Sequence, residues 1–215
     1  MGLGVTISSL DDALLNLFLV LYAVESSSRR GYLYGRVKLQ KLLFEAQKRM
    51  TERRLRALTY VFYRWKYGAY SPELDWGVKW LSKNGLVNVT EKGIEITEMG
   101  RSLLREAREL LELNKETVAI IDRMSEIYPF ETGKIMKAKA YGTPAPATRA
   151  LIEDVKKGEI ILNPLEDSRA SKHFLIDHSW IRTLEILLEK ESRESIEKAM
   201  SDARQGRIEP YRPVG

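Results

Sequence analysis

The segment Ser71–Leu104 reads SPELDWGVKWLSKNGLVNVTEKGIEITEMGRSLL, and its punctuation spells helix, hairpin, helix. Ser71 directly before Pro72 is an N-cap followed by proline at the first helical position. Leu74, Val78 and Leu81 then share one helical face, and Asn84-Gly85 provides a left-handed stop. Leu86-Val87-Asn88-Val89 and Ile94-Glu95-Ile96 flank a turn at Glu91-Lys92-Gly93, which predicts a short hairpin. Thr97 is placed to cap a further helix carrying Leu103, Leu104, Ala107, Leu110 and Leu111.

Upstream, Ser9 begins a helix that runs to about residue 26 on Leu10, Leu14, Leu17, Phe18, Leu21 and Val24. After a loop with Gly31 and Gly35, the residues Leu39, Leu42, Leu43, Ala46 and Met50 repeat at helical spacing, with Lys38, Lys41, Glu45, Lys48 and Arg49 on the other face. Tyr60–Trp65 is β-branched and aromatic, a strand signal, and Gly68 marks a turn. The order helix, helix, strand, helix, hairpin, helix predicts a mainly α, α+β protein with a winged-helix-like module over residues 1–112, the hairpin being its wing. Residues 113–215 are expected to form a helical region packed on it. Helices are predicted from 114 or 115 to 128, from Glu131 to Tyr141, over 147–157, over 178–190 and over 193–204, with a break at Gly142, Pro144 and Pro146 and a strand at Ile160–Leu162. The tail 206–215 is expected to be extended.

Composition narrows the function further. The chain of 215 residues has no cysteine, which excludes disulfides, thiolate metal sites, iron–sulfur clusters and cysteine nucleophiles. It has five Asn, three Gln, eight Asp and 22 Glu, a bias toward charge and away from thermolabile amides that implies a heat-adapted source. Ala13–Val24 is apolar but short for a membrane span and has no basic stretch before it, so a cytoplasmic protein is expected. The net charge of +5 is unevenly placed. Residues 29–66 hold twelve Lys and Arg against Glu45 and Glu52, a local +10 in a chain that is otherwise −5.

The stretches KLQKLLFEAQ (38–47) and FYRWKYGAYSPEL (62–74) resemble the Panacea or SocA-like antitoxin family, and are similar to the YwgA-like proteins. In these families a "KLQKLLYFAQ" helix precedes an aromatic strand and a "W-x-x-G-P-x-x-P-E-L" turn. Ala69 stands where the family usually has proline, and Arg64 precedes the tryptophan where an acidic or small residue is commoner, departures that bear on partner specificity. The resemblance implies a non-catalytic interaction module that binds a protein partner, such as a toxin encoded nearby, and neutralises or delivers it. Gln40, Trp65, Gly68, Tyr70, Pro72 and Glu73 are the candidate partner-binding residues. The last helix and tail, from Ser192, form an alternative partner-binding arm.

A winged fold also suggests a DNA-binding regulator, with residues 71–84 in the major groove and 88–93 as the wing. Its candidate contacts are Arg53, Arg54, Arg56, Arg64, Lys66, Lys79, Lys83 and Lys92. The charge count opposes that docking, because Glu73 and Asp75 offset Lys79 and Lys83 on the helix and Glu91 offsets Lys92 on the wing, whereas duplex affinity rests on several cations. Catalytic signals are weak. His173 and His178 lack the spacing of a metal-binding helix motif and are read as packing or surface residues; Trp65, Trp76, Trp80 and Trp180 are read as core or interface anchors. No metal or cofactor is expected.

Overall fold

The structure, a computed structural model, describes residues 9–31, 35–127, 142, 144–205 and 207. In chain order the elements are α1 (Ser9–Ser28), α2 (Arg36–Glu52), β1 (Leu55–Arg56), β2 (Phe62–Trp65), β3 (Gly68–Tyr70), α3 (Pro72–Lys83), β4 (Val87–Val89), β5 (Ile94–Ile96), α4 (Glu98–Glu106), α5 (Arg108–Leu113), α6 (Lys115–Ile127), β6 (Ile160–Leu162), β7 (Lys172–His173), α7 (His178–Leu188) and α8 (Lys190–Arg204). The protein is mainly α within an α+β fold, as the periodicity predicts. The expected helix Glu131–Tyr141 and the tail lie outside the described residues, Arg207 apart.

Helix α1 is the axis of the molecule. Every residue from Leu14 to Val24 is buried, so the helix is apolar on all sides and has to be enclosed. It packs against α2, α3, α4, α6, α7 and β5. Its apolar stretch therefore serves the interior, and among the described residues no helix is long and apolar enough to cross a membrane. The one polar residue in that run, Asn16, donates to Thr59 Oγ1 at 2.9 Å and accepts from Thr59 N at 3.0 Å.

The segment from Ser71 folds as its punctuation predicts. The Ser71 hydroxyl accepts from Leu74 N, Pro72 opens α3, and Gly85 takes the left-handed conformation. Strands β4 and β5 pair Val87 with Ile96 and Val89 with Ile94, and Thr97 caps α4 by accepting from Gly100 N at 3.1 Å. The helix expected after Thr97 is divided at Ala107 into α4 and α5. Helix α4 lies close to the hairpin, and a Cβ at Gly100 would stand 2.4 Å from Leu86 O and 2.8 Å from Ile96 Cγ1.

Two departures come from the second half. The predicted helix over 147–157 is absent; the segment is a series of turns. Arg149 is left-handed, Ala145 N donates to Ala150 O, and Ala147 N donates to Ile161 O. The Ala147 amide is thus spent on β6, while Ile152 and Val155 are still buried. Strand β6 pairs antiparallel with β2 to make a sheet of order β3-β2-β6, and β7 pairs parallel with β1.

At the end of α1, Tyr22 and Ser26 both donate to Asp122 Oδ1 of α6, at 3.0 and 2.5 Å, and Arg30 reaches Glu126 at 3.2 Å. Burial, with Asp122 alongside, pushes the Tyr22 phenol up to about 12 from its ordinary 10.0.

Two outcomes follow from this packing. Gly100→Ala forces backbone apart and is expected to lower stability by about 2–3 kcal/mol, seen as a fall in thermal midpoint of roughly 5–10 °C. A raised phenol pKa means the folded state holds its proton more tightly, so the Tyr22 contribution is complete below pH 10 and is lost as pH rises toward 12. Denaturant titrations over that window should show Tyr22→Phe with a shallower alkaline loss than wild type, although at neutral pH the variant is less stable by about 1 kcal/mol.

Candidate protein-interaction surface

The surface is carried by the β2–β3 hairpin and the start of α3, and both are held from beneath by α2. Two glutamines of α2, seven positions apart, each grip a backbone segment with both ends of the carboxamide. Gln40 donates to Ser71 O at 2.8 Å and accepts from Ser71 N at 2.9 Å. Gln47 donates to Tyr60 O at 2.6 Å and accepts from Tyr60 N at 3.1 Å. Strand β2 is fixed on its other side as well, where Arg64 N donates to Glu159 O and Gly158 N donates to Arg64 O, each at 2.8 Å.

The hairpin pairs Tyr63 with Tyr70, Arg64 with Ala69 and Trp65 with Gly68, which leaves Lys66 and Tyr67 as its two tip residues. Gly68 has φ of 107°, the left-handed region that favours glycine. Trp65 is 43% exposed, Tyr67 56% and, on the first turns of α3, Trp76 57%. Large aromatics left at the surface of a hairpin and helix that are otherwise well anchored make this a candidate contact surface. Lys157 Nζ stands 4.4 Å from the Trp65 ring centre, the Tyr70 ring is 6.1 Å from Trp65 on a tilt, and Lys66 Nζ lies 5.3 Å from the Tyr67 ring.

The residues expected to bind a partner divide by position. Trp65, Pro72 and Glu73 are exposed, and Tyr70 is half-buried with its ring beside Trp65. Gln40 and Gly68 are buried: Gln40 serves as the clamp on Ser71, and Gly68 shapes the hairpin with Lys41 Cε beneath it. Tyr67 and Lys157 were not singled out by the sequence, and Trp76 only as a generic anchor. An aromatic at a hairpin tip is a usable signal for Tyr67; Lys157 becomes visible only once β6 is known to lie beside β2.

The residues proposed to meet nucleic acid lie in four places. Arg53 pairs with Glu116 at 3.8 Å and Arg56 with Asp12 at 3.4 Å at the α2–β1 corner, where Arg54 is exposed. Arg64 and Lys66 belong to the hairpin. Lys79 pairs with Asp75 at 2.9 Å on α3, where Lys83 is exposed, and Lys92 is exposed on the turn between β4 and β5. Of the twelve cations in the +10 segment, Arg29, Arg30, Arg36, Arg53 and Arg56 each pair with a carboxylate from outside it: Glu25, Asp122 and Glu126, Asp75, Glu116 and Asp12 respectively.

A groove of about 1210 Å³ runs between the start of α1, the α5–α6 corner and β7. His173 lines it together with Asp12, Arg56, Glu116, Lys172 and Asp177. Burial raises the Asp12 carboxyl pKa despite Arg56. Lys172 pairs with Glu116 at 3.0 Å. Asp177 is committed to capping α7, accepting from Ser179 Oγ and Trp180 N, which lowers its pKa. His178 is the first residue of α7, exposed and outside the groove lining. Among the described residues no group of three or more His, Asp or Glu could hold a metal ion. Helix α8, which with the tail is the alternative partner-binding arm, has no buried residue.

Compared with protein-family models, with curated proteins and with solved structures, the chain matches none of them.

Because Gln40 satisfies a buried backbone donor and acceptor at once, Gln40→Leu is expected to cost about 2–4 kcal/mol, against less than about 0.5 kcal/mol for a surface change such as Glu73→Gln. Chemical denaturation of the two variants checks the assignment of Gln40 to the framework.

Proposed function

We propose that the protein is a non-catalytic interaction module of the Panacea-like antitoxin kind, which binds a protein partner and neutralises or delivers it. The observation that carries this reading is the exposure of Trp65, Tyr67 and Trp76 on a hairpin and helix that α2 holds rigidly from below. Aromatic side chains presented on a fixed frame lose little conformational entropy on docking and make the strongest interface anchors. The resemblance of residues 38–47 and 62–74 to the antitoxin family supports the same reading, since Trp65 and the turn into Pro72-Glu73 fall within that motif.

The DNA-regulator reading draws on the order helix, helix, strand, helix, hairpin, helix. Its candidate cations are separated into four groups, and Arg53, Arg56 and Lys79 are engaged by carboxylates, which favours the protein-binding reading.

Co-expression with the products of the adjacent genes tests the proposal. A product that arrests growth alone and is tolerated with this chain is the expected partner. The triple change Trp65→Ala, Tyr67→Ala, Trp76→Ala should then weaken the purified complex by more than about 2 kcal/mol, roughly thirtyfold, while leaving the fold cooperative. Full binding by that variant would refute the surface. Salt-sensitive duplex binding abolished by Arg53→Ala, Arg54→Ala and Arg56→Ala, with no protein partner, would replace the reading by the regulator.

A further inference from the structure

We infer that the groove beside β7 takes an extended, uncharged peptide segment, which pairs its backbone with the open edge of β7 at His173. Along a strand, the backbone groups of successive residues turn to opposite edges. Lys172 N donates to Arg54 O at 3.0 Å and Phe174 N donates to Arg56 O at 2.9 Å, so these two residues face β1. His173, between them, faces away from it. Two residues on, Leu175 is met by Asn114, whose carboxamide donates to the Leu175 C=O at 2.8 Å and accepts from its N–H at 2.6 Å. His173, Leu175 and Asn114 all line the groove. Among the described residues, nothing meets the backbone of His173 as Asn114 meets that of Leu175, and His173 is exposed. Asn114 thus imitates one residue of a neighbouring strand, and the position beside it offers a donor and an acceptor for another.

The charge of the groove selects its occupant. Three Lys and Arg side chains line it against four carboxylates, and two of those cations, Arg56 and Lys172, pair with Asp12 and Glu116. A nucleic acid, whose affinity rests on several cations, finds no such field here, and a charged peptide gains little from a matched set. What the groove leaves unmet is one backbone donor, one acceptor and apolar surface: Leu113 is 55% exposed and Leu175 59%. An extended peptide answers all three. Its backbone exchanges two hydrogen bonds with His173, as opposed residues of an antiparallel pair do, while its alternate side chains rest on Leu113 and Leu175. No residue of the β2–β3 hairpin or of α3 lines the groove, so this site is separate from the aromatic surface proposed above.

The test selects a displayed library of random nine-residue peptides on the full chain. The tightest binder is then made as a synthetic peptide and as its fully N-methylated counterpart, which keeps the side chains and loses every backbone donor. Amide hydrogen exchange is read residue by residue by NMR. In the free chain the His173 amide is expected to exchange much faster than those of Lys172 and Phe174, and with the peptide bound to slow at least about tenfold. N-methylation should weaken binding at least about tenfold, and salt should change it little. His173→Pro removes the donor without touching the ladder to β1 and should also cost at least about tenfold, whereas His173→Ala, which changes only the side chain, should cost less than about threefold. The exchange and N-methylation readouts use the unaltered chain, so they decide the matter even where His173→Pro does not fold. A His173 amide already protected in the free chain, a binder indifferent to N-methylation, or equal losses in His173→Pro and His173→Ala would each overturn the inference. The triple change Trp65→Ala, Tyr67→Ala, Trp76→Ala should leave the peptide bound; loss of binding there would place the peptide on the aromatic surface and overturn the groove alone.

Discussion

A helix that is apolar on every face cannot lie at a surface, and α1 is such a helix from Leu14 to Val24. Most helices need one neighbour for one stripe; this one needs neighbours all round. That demand recruits elements from far along the chain, including α6 and α7, whose Ile121, Leu184 and Leu188 are completely buried. It also governs the polar groups admitted. Asn16 is tolerated inside the run because Thr59 meets both ends of its carboxamide, and leaving either end unmet would cost about 1–3 kcal/mol.

The same device recurs wherever irregular backbone approaches the core. A peptide group outside a helix or ladder offers one donor and one acceptor, and among neutral side chains Asn and Gln present both in one rigid plane. Gln40 meets Ser71, Gln47 meets Tyr60, and Asn114 donates to Leu175 O while accepting from Leu175 N. Asn84 donates to Trp80 O and accepts from Lys190 N, joining the end of α3 to the start of α8. Composition alone makes the eight carboxamides look like survivors of a bias against thermolabile side chains. Position shows that these five are buried clamps, which is a reason for them to be retained whatever the bias.

Charge behaves similarly. The window 29–66 looks like a docking face when read along the chain, yet the carboxylates that meet its arginines come from α1, α3 and α6. Such pairs are mostly exposed and individually weak, but they lower the local field that a distant anion would feel.

These cases mark where the sequence is legible. Helix α3 announces itself because period, cap and stop agree, the β4–β5 hairpin because its turn is flanked by apolar pairs, and α1, α2 and α6 because their apolar spacing is sustained over several turns. The 147–157 segment has helical spacing at Leu151, Ile152 and Val155 but no cap; it is interrupted by the left-handed Arg149 and tied through Ala147 N to β6, a partner that no local pattern names. Strands β1, β3 and β7 are two or three residues long, too short to show a period. At the surface, Trp65 is legible as an aromatic beside a turn, whereas Gln40 shares the same motif and belongs to the interior. A motif is retained for framework and for contact alike, and only the position of the hydrogen-bonding partner tells them apart: Gln40 has both of its partners within the fold, and Trp65 turns much of its ring outward. The candidate contact surface is therefore a consequence of the framework beneath it, because Trp65 and Glu73 hold their places only while Gln40 and Gln47 hold the backbone on either side of the hairpin.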